Sequence, residues 1–305
     1  NQLPMPAYDL FPMDKYIGFS RIEHFNEAVT SRGCEGACSF CYEWGLIDPR
    51  RRGDFFVHRT RSGRLVADEM ELLNKTYGVK ALNFLDDDFN SERQKIVDLL
   101  DELEKRALDI QWFFMGRARN LIRDADLIPR MRRAGCYQTL FGIEVGTDEE
   151  LANIHKSKEP YTVQDLKDLV RLLRQNDIST VGTYMNGFWE DDADKIKTRF
   201  SVVDAIDPDV AVMMLLTPMP GTQVWRQGLK ESRIEILDLE TWDALHTVMP
   251  TRYLSRKDLG GICQWANREF FSRPHRIERL RNGYSSPYPR LKFETYQAAA
   301  DLIDR

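Results

Sequence analysis

The sequence has no apolar run long enough to cross a membrane. The longest, Val210 to Leu216, falls far short of the roughly 20 residues that a helical span needs. No charged stretch followed by an apolar one opens the chain, so a secretory signal is not expected. No low-complexity tract occurs, and no internal repeat has a recognisable signature. There is no surplus of basic charge: 43 Lys and Arg face 48 Asp and Glu, a net charge of −5. That balance argues against a general nucleic-acid binder. Histidine is scarce at five residues, and neither a pairing of one with an acid or nucleophile nor a Ser-His-Asp arrangement is legible in the sequence. A composition 42% hydrophobic and 30% charged excludes collagen-like, disulfide-scaffold and disordered classes.

Cysteine is also scarce, and its distribution is informative. Of five cysteines, Cys34, Cys38 and Cys41 crowd into one short segment, while Cys136 and Cys263 stand far away and alone. Clustering of this kind in a chain without an export signal points to metal binding in a reducing, cytoplasmic setting. The chain begins at Asn1 rather than Met, which leaves room for residues upstream.

Residues 1–24 are rich in proline and aromatics, so an extended lead-in that packs its rings on a neighbour is expected. From residue 25 short apolar runs alternate with helical patterns. Strands are expected at 26–31, 79–85, 110–115, 137–143, 178–185 and 209–216. Helices are expected near 65–77, 91–107, 124–134, 162–176 and 191–206. Asn90-Ser91 offers an N-cap before Ile96, Leu99, Leu100 and Leu103, which recur at helical spacing. Gly78, Gly135 and Asn176-Asp177 stand where helix C-caps belong. Six β/α units in series imply an α/β fold with a parallel sheet, closed as a partial (β/α)6 TIM-type barrel over residues 25–222. Residues 223–305 form a helical C-terminal extension, with helices near 240–247, 255–271 and 291–303. The charge run Arg50-Arg51-Arg52, continuing through His58, Arg59, Arg61 and Arg64, reads first as a solvated loop.

Cys34, Cys38 and Cys41 follow the first strand at C-x3-C-x2-C spacing and therefore sit at the C-terminal mouth of the barrel, where barrel enzymes place their chemistry. A structural zinc usually takes four protein ligands, and no second cysteine pair exists in this chain. A cubane iron–sulfur cluster held by three cysteines leaves one iron open for a small molecule.

With Phe40 between the second and third cysteines, this segment resembles the signature of the radical S-adenosylmethionine (SAM) enzymes. The resemblance implies a [4Fe-4S] cluster on Cys34, Cys38 and Cys41 whose open iron chelates SAM. Further motifs resemble the cobalamin-binding class of that superfamily. They are Phe84-Leu85-Asp86-Asp87-Asp88-Phe89, Ala118-Arg119-Asn120, Phe141-Gly142-Ile143-Glu144-Val145-Gly146, Thr217-Pro218-Met219-Pro220-Gly221-Thr222, and the stretch from Arg268 to Arg276. Valine stands at 145 where the class carries serine. Anaerobic tetrapyrrole cyclases, C- and P-methylases and a cobalamin-free hydroxylase are all similar at this level. The cobalamin domain itself would precede residue 1, so this chain alone is expected to bind SAM but not cobalamin.

Each role expected from the resemblance has a simpler competitor. Asp86 and Asp87 suit the SAM ammonium, or they cap the next helix, with Asp88 the helix-dipole residue. Glu144 suits the ribose diol, or pairs with an arginine at the mouth. Arg119 suits the SAM carboxylate, or pairs with Glu144 or Asp87. Phe40 shields the cluster beside the adenine, or is ordinary core. The expected activity is hydrogen abstraction from an unactivated C–H bond of a small-molecule substrate, with a flavodoxin- or ferredoxin-type electron donor. The alternatives are a methyltransferase that needs cobalamin, and a non-catalytic iron–sulfur or zinc module.

Overall fold

The computed structural model describes residues 1, 3–18, 21–36, 38–42, 58–144, 146–155 and 161–303. The arginines at 50–52 and Val145 lie outside them. Six parallel strands lie side by side in chain order: β1 (Phe25–Ala28), β2 (Ala81–Phe84), β3 (Gln111–Gly116), β4 (Cys136–Glu144), β5 (Ser179–Asn186) and β6 (Val210–Leu215). Sequential order is what successive right-handed β/α crossovers generate. Among the described residues β1 and β6 do not pair with each other, so the barrel is partial, as the six β/α units imply.

The first strand is shorter than its apolar pattern suggests. It stops at Ala28, and Ser31–Arg32 leaves the sheet to pair antiparallel with Arg59–Thr60. The helices that cover the sheet are α1 (Gly63–Tyr77), α2 (Arg93–Arg106), α3 (Ala118–Arg123), α4 (Ile128–Arg133), α5 (Asp148–His155), α6 (Val163–Gln175) and α7 (Ala193–Ile206). The stretch 118–134, expected to hold one helix from 124, holds two. Pro129 enforces a fresh start in the first turn of α4 because its ring cannot continue a preceding helix. Thr162 caps α6 in a reciprocal box with Asp165, and Asp192 caps α7 through the Lys195 amide. Gly78 ends α1 at φ +69°, a left-handed position natural to glycine.

Strand alternation divides the core. Leu82, Phe84, Trp112, Phe114, Phe141 and Ile143 pack outward against helix residues such as Ile96, Leu99 and Leu166. On the inner face Val181 and Val210 meet Leu280 and Phe293 of the C-terminal helices. Those helices are α8 (Gln223–Lys230), α9 (Arg256–Phe271), α10 (Pro274–Asn282) and α11 (Tyr288–Ile303). Two of these helices therefore fill part of the concave face, while Met249 of the extension packs near Phe40 of the cysteine loop. Around 240–247, where the pattern predicts a helix, there is only a 3-10 turn at Leu239–Thr241. Asp243 accepts the Leu245 and His246 amides, and Ala244 sits at φ +61°; that local bonding competes with helix. In the lead-in Tyr8 donates to Glu69 at 2.6 Å and meets Tyr77 edge-on.

Lys292 of α11 is buried with its ammonium 3.7 Å above the Phe113 ring and 5.2 Å from that of Tyr137. Burial pulls this lysine down to about 7. The unfolded chain, with an ordinary lysine, then binds the extra proton between about pH 7 and 10.5, so stability rises with pH across that window. Lys292→Met should stabilise the protein most at or below pH 7, with the advantage shrinking toward pH 10. Thermal melts of both proteins across that range check it; a pH-independent difference would contradict the burial argument.

Candidate active site

The first requirement at the mouth is to hold the loop that carries the cysteines. Asp86, just past β2, is buried and accepts from the Thr30 amide at 3.1 Å, the Thr30 hydroxyl at 2.8 Å and the Ser31 hydroxyl. Lys95 of α2 donates to Thr30 Oγ1 at 2.7 Å and to the Phe89 carbonyl at 3.2 Å, with Asp86 3.9 Å away. Burial lowers this lysine to about 8, opposed by the Asp86 charge. The carboxylate thus ties the start of the cysteine loop to the end of the neighbouring strand.

Beyond that knot, Cys34, Cys38 and Cys41 line one wall of a cavity of about 320 Å³. Phe40, Asp86, Asp87, Arg119 and Glu144 line it too, so every residue expected at the site reaches one place. Burial is the main force raising the Cys34 and Cys38 thiols to about 12, with Asp88 adding to it at Cys34 and Glu144 at Cys38. Both therefore stay protonated until a metal centre displaces the protons.

Two acidic residues depart from the sequence expectation. Asp86, which the sequence pairs with the SAM ammonium, has its oxygens taken up by Thr30 and Ser31. Asp88 is no helix-dipole residue: it is buried, accepts from Asn120 Nδ2 at 3.1 Å, and lies 3.8 Å from Cys34 Sγ. Asp87 is exposed, and its carboxyl is raised by partial desolvation at the mouth and by the Asp86 charge. The expected N-cap pair also serves the mouth instead. The α2 N-cap is Glu92, Asn90 Oδ1 accepts the Arg117 amide at 3.1 Å, and Ser91 Oγ lies 3.0 Å from His58 Nδ1.

Glu144 ends β4 in a left-handed conformation, φ +67°, where the β4–β5 register shifts. Its carboxylate folds back over Gly142, where a Cβ would stand 2.0 Å from Oε1; a side chain at 142 would displace it. Burial raises this carboxyl to about 7, opposed by Arg117. Arg117 also bears electrostatically on Cys34, Cys38 and Asp88, so it is the cation at the centre of the site. The sequence singles out Arg119, gives no signal for Arg117 or Tyr161 in its motifs, and points Asp88 and Asn90 to helix ends rather than to the cavity. The bare Gly116 beside Arg117 is the available signal, since a Cβ there would strike Asn90 Oδ1.

The sequence pattern of the radical SAM superfamily matches residues 28–199. The chain belongs to that superfamily. An uncharacterized methyltransferase of Pyrococcus horikoshii is 26% identical over 274 residues, 90% of this chain and 57% of that protein. The anaerobic magnesium-protoporphyrin IX monomethyl ester cyclase of Rubrivivax gelatinosus is 25% identical, over 87% of this chain and 46% of its own length. The chain thus spans about half the length of these relatives. Among solved structures, the cobalamin-dependent SAM radical enzyme OxsB with aqua-cobalamin bound superposes with a TM-score of 0.60 at 17% identity, covering 89% of this chain and 44% of that one. The radical SAM methyltransferase TsrM of Kitasatospora setae, with cobalamin and a [4Fe-4S] cluster bound, gives 0.56 at 23% identity, covering 68% and 37%. At these identities the structural likeness establishes the shared fold.

Radical SAM enzymes use a [4Fe-4S] cluster and SAM, and the residues present fit both. Three soft thiol donors share one wall, as a cluster with one open iron requires. Among the described residues no three His, Cys, Asp or Glu side chains gather tightly enough for a single metal ion; a cubane taking one cysteine per iron needs a wider spread. No helix among the described residues is long and apolar enough to cross a membrane.

Replacing Cys34, Cys38 or Cys41 with alanine should remove most iron from the anaerobically reconstituted protein. Cys136→Ala and Cys263→Ala, at buried positions away from the cavity, should retain it. Asp86→Ala should also lower iron retention and cost on the order of 3 kcal/mol of stability, because buried donors lose their acceptor. Iron assays and thermal melts decide; an Asp86 variant with normal melting and iron would remove its anchoring role.

Proposed function

We propose that residues 25–222 form the catalytic barrel of a radical SAM enzyme acting on a small-molecule substrate, with residues 223–305 its supporting extension. The supporting observation is one cavity that combines three cysteines, two arginines and three carboxyl groups at the C-terminal ends of parallel strands. Cys34, Cys38 and Cys41 would hold the cluster. With one electron from a flavodoxin- or ferredoxin-type donor, the bound cluster and SAM would supply reductive cleavage to methionine and a 5′-deoxyadenosyl radical able to take hydrogen from an unactivated C–H bond.

The chain's own residues position and insulate that chemistry. Glu144 offers carboxylate oxygens to a ribose diol, and charge-assisted contacts of that kind are strong. Asp87, exposed at the cavity, is accessible to the SAM ammonium where the buried Asp86 is not. Arg117 and Arg119 face the cavity and suit the SAM carboxylate, and Arg117 also offsets negative charge beside the cysteines. Phe40 packs against Met185, Leu216 and Met249, which helps keep water from one side of the cavity.

Methyl transfer is the second reading. The Pyrococcus horikoshii relative named a methyltransferase covers nearly the whole chain, and TsrM has cobalamin bound. In that reading a separate domain or chain would supply the cobalamin. Incubation of the reconstituted chain with SAM and reductant, with and without hydroxocobalamin, separates the readings. Formation of 5′-deoxyadenosine without cobalamin supports hydrogen abstraction. S-adenosylhomocysteine that depends on cobalamin supports methyl transfer, and neither product would overturn both. Glu144→Gln should weaken SAM binding by roughly ten- to hundredfold while leaving iron content unchanged.

A further inference from the structure

Glu144 sits in a conformation that a β-strand does not supply by itself, so something outside β4 must hold the chain there. Two residues on, the Gly146 amide donates to Glu150 Oε2 at 2.9 Å. The other oxygen of Glu150 accepts from Arg199 Nη2 at 2.9 Å. Arg199, on α7, is almost fully buried and forks onto Asp191 at 2.9 and 3.0 Å, and its Nη1 also donates to Asn186 Oδ1 at 2.8 Å. Asp191 in turn accepts the Gly187 and Phe188 amides at 2.9 and 3.1 Å. One guanidinium therefore joins the chain leaving β4 to the chain leaving β5. Contact is close: a Cβ on Gly146 would stand 2.7 Å from Arg199 Cα.

A buried charge is costly to retain for stability alone, since an apolar group of similar volume often does as well. What an arginine adds is fixed planar geometry with several donors in defined directions. In this chain those donors are aimed at both strand ends at the mouth, and one of them reaches the Gly146 anchor through Glu150. We infer that Arg199 is a positioning residue for SAM, acting through Glu150 and Gly146 to hold Glu144 over the cavity. The inference rests on the proposed ribose role of Glu144. It assigns that role a support on a different helix, outside every motif that marks the cysteine loop and the strand ends.

The test uses Arg199→Lys, which keeps the charge but cannot fork, and Glu150→Ala, which frees Gly146 while leaving the Arg199–Asp191 pair intact. SAM affinity of the cluster-loaded protein, its iron content and its melting temperature are measured for each. Amide exchange around residues 142–150 is followed in the cluster-free chain. Arg276→Lys serves as a control: that buried arginine pairs with Asp204 and Asp207, remote from the cavity. Both test variants should bind SAM on the order of tenfold more weakly with iron content retained, and the exchange should quicken. Each should also be non-additive with Glu144→Gln, because the two changes remove one shared interaction. Arg276→Lys should lower melting temperature without changing SAM affinity. Loss of affinity in Glu144→Gln with none in Glu150→Ala and Arg199→Lys would overturn the inference and spare the ribose role. Full additivity would overturn it too. Unchanged affinity in Glu144→Gln would instead remove the ribose role, and the inference with it.

Discussion

The Asp86 carboxylate is the point on which the mouth of this barrel depends. A loop that brings three cysteines to one cavity cannot wander, and a short β1 gives it little purchase. Asp86 supplies that purchase by accepting from the backbone and hydroxyl of Thr30 and the hydroxyl of Ser31. Lys95 completes the knot from α2. Because the group is buried, each of its bonds is made away from competing water, and leaving any donor unpaired there would be expensive.

From that knot the chemistry spreads around the mouth in strand order. β2 ends in the acidic run, of which Asp86 anchors the loop, Asp88 lies against Cys34 and Asp87 faces the cavity. β3 ends at Gly116-Arg117, clamped by Asn90, so the guanidinium is delivered from a fixed backbone. β4 ends in the left-handed Glu144 above Gly142. Below these groups the C-terminal helices fill the inner face with Leu280 and Phe293, and the cavity lies above that layer. Fold and site are therefore parts of one arrangement: parallel strands put all their C-terminal ends at one rim, and each end contributes one kind of group.

Much of this was legible in the sequence. The six strands could be located because buried parallel strands are short, continuously apolar and bounded by turn residues. The three cysteines and Phe40 were legible because their loop is local, with its sulfur donors close along the chain. Capped, amphipathic helices such as α6 were legible for the same reason. Periodicity failed where local side-chain bonding or proline overrode it, at 240–247 and between α3 and α4.

The sequence by itself determined the order of the β/α units, the cysteine loop and which acidic and basic residues stand near strand ends, since each follows from spacing of a few residues. Only the tertiary structure decided how those residues divide the work. That Asp86 anchors while Asp87 faces the cavity, and that Arg117 takes the central position beside Arg119, depends on the register of β2 against β3 and on how far each strand runs. The same holds for Arg199, which meets Glu150 across 49 positions of sequence. Spacing along a chain fixes which groups are neighbours on one element; contact between elements is set by packing, and a linear pattern carries no record of it.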